Sequence, residues 1–194
     1  MNTDSHGGRP GRSLWKGPAL ITALILVIPL LGNRFVQGWN WPPKAFVFFG
    51  SVIFGIGLTY QLITKRVDTI AYRSALGLAL VTGFVLFFGN FVQAADDVYP
   101  VPAAMMYLIV PVLGIIGAAI ARFRSRGMAR ALFVTAFAQA VVFAIALSRN
   151  LPVTSWTAPV WRGFGGNALF LVLFVASAAL FRTAAREEST PGAA

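Results

Sequence analysis

Asn90, Gln93 and Asp97 fall three and then four residues apart, so on a helix they share one face. Gly83 extends that face by two further turns. Within an apolar run, such a stripe offers amide and carboxylate groups to a small solute or a cation. Lipid cannot satisfy these groups, so they must face other helices or water. Asp96 lies on a different side of the same helix, so Asp96 and Asp97 do not form a carboxylate pair for acid–base work. Their available counter-charges are Arg34, Lys44, Arg149 and Arg162. The plainer alternative for the stripe is a hydrogen-bonded helix end with an interfacial ion pair.

Gln139 is a second candidate, with Thr135 one turn before it. A Gln at the centre of an apolar run needs a partner on another helix, and Asn167 and Tyr107 are the candidates. Interhelical bonds of this kind average only ~0.6 kcal/mol, so Gln139 can be simple helix glue. Asn90, Gln93, Asp97, Gln139, Tyr107 and Asn167 together make the candidate polar pocket.

Arg122, Arg124, Arg126 and Arg130 are a third candidate, a contact for anionic lipid at ~1 kcal/mol per basic residue near the surface. Topology selection alone would produce the same cluster.

Several chemistries are missing. No ionisable residue lies deep in an apolar run, which argues against proton-coupled pumps and voltage sensors. The single histidine, His6, is near the N-terminus, and there is no cysteine. Imidazole bases, thiolate metal sites and disulfides therefore have no residues to build them. Gly163-Phe164-Gly165-Gly166 has the glycines of a phosphate loop but neither the lysine nor the preceding strand. No serine has a visible base. No catalytic, metal or cofactor-binding residue is assigned, no cofactor is expected, and the balance is against an enzyme.

The elements that position these groups follow from charge. The 194-residue chain is 57% hydrophobic and only 11% charged, against roughly 25% in soluble domains. A membrane-crossing helix needs about 20 apolar residues, and a central charge costs at least ~2.5 kcal/mol. Charge-free runs therefore predict spans at 17–33, 45–64, 74–95, 101–121, 131–148 and 163–181. The expected fold is all-α: a six-helix transmembrane bundle, one domain over 14–186, with disordered tails at 1–13 and 187–194. After Pro29-Leu30-Leu31 comes Gly32-Asn33-Arg34 rather than a small-x-small cleavage site, so the first run reads as a retained anchor.

The basic residues alternate between the two sides. Twelve lie on the side of the termini, in the second-to-third linker and in the fourth-to-fifth linker; the other four are Arg34, Lys44, Arg149 and Arg162. The positive-inside rule then places both termini in the cytoplasm. The net charge of +10 is punctuation between spans, so nucleic acid is not an expected partner. Trp39, Trp41, Trp156 and Trp161 fall on the other side and suit an aromatic belt. Trp39-Asn40-Trp41-Pro42-Pro43 reads as an interfacial turn, with a proline opening the second helix, and residues 150–162 as a re-entrant or surface loop.

Small residues recur at four-residue spacing: Ala79 and Gly83, Gly114 and Ala118, Gly117 and Ala121, and Ala136, Ala140 and Ala144. Such faces let helix backbones approach in lipid. Pro29 and Pro111 fall inside spans, and Pro111 takes the usual amide donor from the Tyr107 carbonyl.

Asn40-Trp41-Pro42, Gly55-Ile56-Gly57-Leu58-Thr59-Tyr60, Ala71-Tyr72-Arg73-Ser74-Ala75 and Leu113-Gly114-Ile115-Ile116-Gly117-Ala118 form a pattern. It continues through Ile120-Ala121-Arg122-Phe123-Arg124 and Arg126-Gly127-Met128-Ala129-Arg130-Ala131-Leu132. Over about residues 20–185 the chain resembles a widespread family of small, uncharacterised bacterial multi-pass membrane proteins. The resemblance implies a bacterial inner-membrane location and no particular activity. Members tend to carry acids near Lys44 and Gln61, which this chain lacks.

Two functions are expected. The first is a non-enzymatic integral membrane protein with an accessory or binding role. The second is a small-solute transporter or channel, dimeric, using the Asn90–Gln93–Asp97 stripe, in which Gln93→Leu abolishes flux. Expected partners are the lipid bilayer, anionic lipid, and a second copy or another membrane protein.

Overall fold

A computed structural model describes residues 15–38, 40–67, 69–95, 101–149 and 158–189; side chains at 92–95, 101–106, 146, 149 and 158–164 lie outside the description. Among the described residues the chain is all-helical, with α1 (Lys16–Phe35), α2 (Pro43–Thr64), α3 (Ile70–Ala95), α4 (Val101–Ile120), α5 (Ser125–Arg149) and α6 (Ala158–Glu187). Five are long and apolar enough to cross a membrane. In α4 the apolar stretch with described side chains, Tyr107–Ile120, is shorter. Large apolar side chains point outward along the helices, among them Leu24, Ile28, Val81, Ile115, Phe137 and Val172. Surfaces of this kind are compatible with a multi-pass membrane protein and are costly in water.

The first two spans match α1 and α2 to within two residues. α3 begins four residues before the charge-free run, α5 six before it, and α6 carries Arg162, Arg182 and Arg186 inside its length. A charge ends an apolar run, but the helical hydrogen-bond ladder does not stop with it. Residues 158–162, expected in a loop, belong to α6; 150–157 lie outside the described residues, as do 1–14 and 190–194. Glu187, expected in a disordered tail, closes α6, and Glu188 and Ser189 form a turn after it.

The described residues fall into two compact units, divided between Arg66 and Val67. In the first, α1 packs on α2. The approach is close because glycines face bulky atoms: a Cβ on Gly57 would lie 3.1 Å from Pro18 Cβ, and one on Gly50 3.1 Å from Leu26 Cδ1. The connecting loop is closed by Asn33, whose amide donates to the Trp41 carbonyl (2.9 Å) and accepts from the Trp41 amide (2.8 Å). Pro42 is extended and Pro43 opens α2, as the sequence suggested. Trp41 stacks on Phe49 at 5.2 Å.

In the second unit α3, α4, α5 and α6 each contact two others, closing a ring. The tightest approach is between α4 and α5. A Cβ on Gly117 would lie 2.8 Å from Ala131 Cβ, and one on Gly127 2.8 Å from Ala121 Cβ and 3.1 Å from its Cα. Gly114 faces Thr135. The contact face is therefore Gly114, Gly117 and Ala121, drawn from both four-residue pairs of the sequence. Gly83 has no such neighbour, and Ala144 is exposed while Ala136 is buried. α3 and α6 are tied by Ser177, whose hydroxyl donates to the Ala75 carbonyl at 2.7 Å. Tyr72 packs edge-on against Phe181 at 5.0 Å.

Candidate functional site

The stripe on α3 divides. Asn90 is buried, and its amide donates to the Leu86 carbonyl one turn back in the same helix (2.7 Å). That group is spent on its own backbone. The side chain of Gln93 and all of Asp97 lie outside the described residues.

The Gln139 expectation fares differently. Gln139 is 0% exposed, and its Nε2 donates to Asn167 Oδ1 at 2.8 Å, joining α5 to α6. Thr135, also fully buried, donates to the Ala131 carbonyl and leaves Gln139 alone. Gln139 Oε1 is buried and accepts no hydrogen bond. Tyr107 has interactions of its own and is half-buried on α4. A buried acceptor left without a donor costs about 1–3 kcal/mol, so this pair stabilises less than it specifies.

An open depression among the described residues sits elsewhere, at the end of the second unit that carries the arginines. Here α4 stops in a Schellman turn: the Arg122 amide donates to the Ala119 carbonyl (3.1 Å) and the Phe123 amide to that of Ala118 (3.4 Å). Glycine usually takes the left-handed position in that motif. This chain instead places Arg122 at φ 49° and Phe123 at φ 57°. Each costs on the order of 1 kcal/mol or more and persists only when the surroundings impose it. They do so from two directions. Gly127 at the start of α5 lies against Ala121, and the Tyr72 hydroxyl donates to the Phe123 carbonyl at 2.6 Å from α3. Tyr72 is 1% exposed, which fixes its hydroxyl in one place.

The turn, the start of α5 and the end of α6 border an open cavity of about 570 Å³. Its lining includes the apolar residues Val67, Ala121, Phe123 and Ala185. It also includes Tyr72, Arg124, Ser125, Arg126 and Ser189. Among the described residues no ion pair holds Arg124 or Arg126. Arg182, by contrast, is placed over the Phe133 ring at 4.6 Å. α5 begins at Ser125 with no acid in its first turn, so the positive end of its dipole opens here. Ser125, 3% exposed, donates its hydroxyl to a carboxylate oxygen of Glu188, which also lines the cavity. Of the four arginines singled out in the sequence, Arg124 and Arg126 line this space, while Arg122 shapes the turn and Arg130 lies one turn beyond Arg126 on α5. Sequence reasoning missed Tyr72, Ser125 and Glu188. No spacing connects them; contacts 51 and 63 residues apart do.

No family model, curated protein or solved structure matches the chain.

Proposed function

We propose that this chain is a non-catalytic, multi-pass membrane protein of six spans whose working site binds an anionic lipid headgroup at the arginine-bearing end of α3–α6. The observation that carries the reading is the mixed lining of the 570 Å³ cavity: Val67, Ala121, Phe123 and Ala185 together with Arg124, Arg126, Glu188 and three hydroxyl-bearing side chains. An amphiphile with an anionic head matches that mixture. Arginine suits phosphate because its planar fork can donate two parallel hydrogen bonds to two oxygens. With the twelve-to-four bias of basic residues, this end and both termini face the cytoplasm. The resemblance noted above supports a bacterial inner membrane, where an accessory role beside a second copy or another membrane protein fits.

The test is a titration of the purified protein in neutral detergent with short-chain phosphatidylglycerol and, separately, short-chain phosphatidylcholine. At ~1 kcal/mol for each of two arginines, the anionic lipid should bind at least about tenfold tighter. The double variant Arg124→Gln, Arg126→Gln should bind the two alike. Equal binding of both lipids by the unaltered protein would contradict the reading.

A second reading is passage of a small polar solute, and Gln139 favours it. Its buried, unaccepting carbonyl oxygen gives a donor group something to bond inside the second unit. In proteoliposomes, Gln139→Leu should then abolish uptake of small polyols; unchanged uptake removes this reading.

A further inference from the structure

Glu188 lies in the same cavity as the two arginines proposed to hold the headgroup. Its carboxylate accepts from the Ser125 hydroxyl and lines the cavity beside Arg124 and Arg126. It also stands at the first turn of α5, which has no acid of its own. A carboxylate there complements the positive helix end from another part of the chain. It follows the last residue of α6, and its amide still bonds to the Ala184 carbonyl at 3.0 Å. The closing turn after it consists of the Ser189 amide and hydroxyl bonding to the Arg186 carbonyl at 3.0 and 2.9 Å. Helix termini open at little cost compared with the body of a fold. The carboxylate can therefore leave Ser125 while the contacts of Phe181 and Ser177 further in stay in place.

We infer that Glu188 is a tethered competitor: its carboxylate occupies the anion position of the cavity and is displaced when an anionic lipid headgroup binds. This inference rests on the headgroup-binding reading. It adds that the empty site is self-occupied, and that headgroup binding and docking of the α6 end exclude one another. The two anions compete for the Ser125 hydroxyl and the positive end of α5, beside the two arginines that line the same cavity. Two negative groups held that close disfavour each other, so occupancy is exclusive rather than additive.

The experiment uses the full chain and the same short-chain phosphatidylglycerol. Glu188→Gln keeps the size and an acceptor oxygen and removes the charge. It should raise affinity by about fivefold or more, the low end of ordinary coupling between sites. Glu187→Gln, at an exposed position outside the cavity wall, is the control and should bind as the unaltered protein does. Thermal midpoints of all variants are compared in the same detergent, so that a gain in affinity is not read from a changed fold. Unchanged or weaker binding by Glu188→Gln, with binding still lost in Arg124→Gln, Arg126→Gln, overturns the competition and leaves the site standing. Unaltered binding in the double arginine variant overturns the site and the competition together. Inorganic phosphate is titrated alongside. Tighter phosphate binding by Glu188→Gln with no gain for phosphatidylglycerol would show that a free anion, not a lipid, is the displaced ligand's counterpart, and would overturn the lipid form of the inference.

Discussion

Two helix connections in this chain solve the same problem in opposite ways. The α1–α2 connection is local. Gly38 takes a left-handed φ of 81° with open space around it, and Asn33 closes the loop on Trp41 only eight residues away. The α4–α5 connection is shorter and has no glycine at its left-handed positions. Arg122 and Phe123 are held there by Tyr72, 51 residues away in sequence, and by the packing of Gly127 on Ala121. The first loop uses residues that relax into the required geometry. The second uses residues that resist it and must be held by the tertiary fold. Strain maintained in this way tends to accompany function. Here it carries Arg122 and Arg124 on a turn that forms one wall of the cavity.

The difference can be broken by substitution. The largest effect is expected at Gly127. Gly127→Val drives a branched side chain into Ala121 backbone and Cβ, and should destabilise the second unit by about 2–3 kcal/mol. Thermal unfolding in detergent reads this directly. Gly38→Ala, strained but unobstructed, should cost only about 1 kcal/mol. Equal costs would erase the distinction between a packed turn and an open one.

Next is Tyr72→Phe. The ring keeps its contact with Phe181 while the Phe123 carbonyl loses its donor, at about 1–1.5 kcal/mol. Affinity for short-chain phosphatidylglycerol should fall with it, because the turn that carries Arg124 loosens. Loss of stability with full affinity would mean that the hydroxyl serves the fold alone.

Asn33→Ala removes both bonds to Trp41 in a solvated loop and should cost about 1 kcal/mol or less. Tryptophan emission should shift as Trp41 leaves Phe49, with headgroup binding untouched. The smallest effect has the opposite sign. Arg122→Gly relieves a left-handed arginine and should stabilise by about 0.5–1 kcal/mol. A loss of stability there would show that the arginine side chain contributes more than its backbone costs.

Much of this was legible in the sequence, and the reasons are specific. Lys16, Arg34, Lys44 and Lys65 bracket α1 and α2 because a charge cannot be left in hydrocarbon at small cost. The same rule placed the starts of α3 and α5 late, since Arg73, Arg126 and Arg130 sit comfortably in helix that continues past the apolar layer. That Gln139 needs a partner on another helix was legible, with Asn167 and Tyr107 as the candidates, and Asn167 is the one it bonds, because a buried amide has few alternatives. Asn90 was not: its amide bonds to Leu86 one turn back, an outcome the spacing of a polar stripe does not distinguish from an open one. Arg124 and Arg126 were visible as a cluster, but the cavity they line was not. It depends on Tyr72 and Glu188, which approach the turn only after α3, α5 and α6 have packed.

The most direct measurement of the central claim is native mass spectrometry of the protein extracted gently from its own membrane. The account predicts that the unaltered chain retains an anionic phospholipid and that Arg124→Gln, Arg126→Gln loses it at unchanged stability. The same lipids on both proteins, or an unaltered chain that retains only zwitterionic lipid, would contradict it.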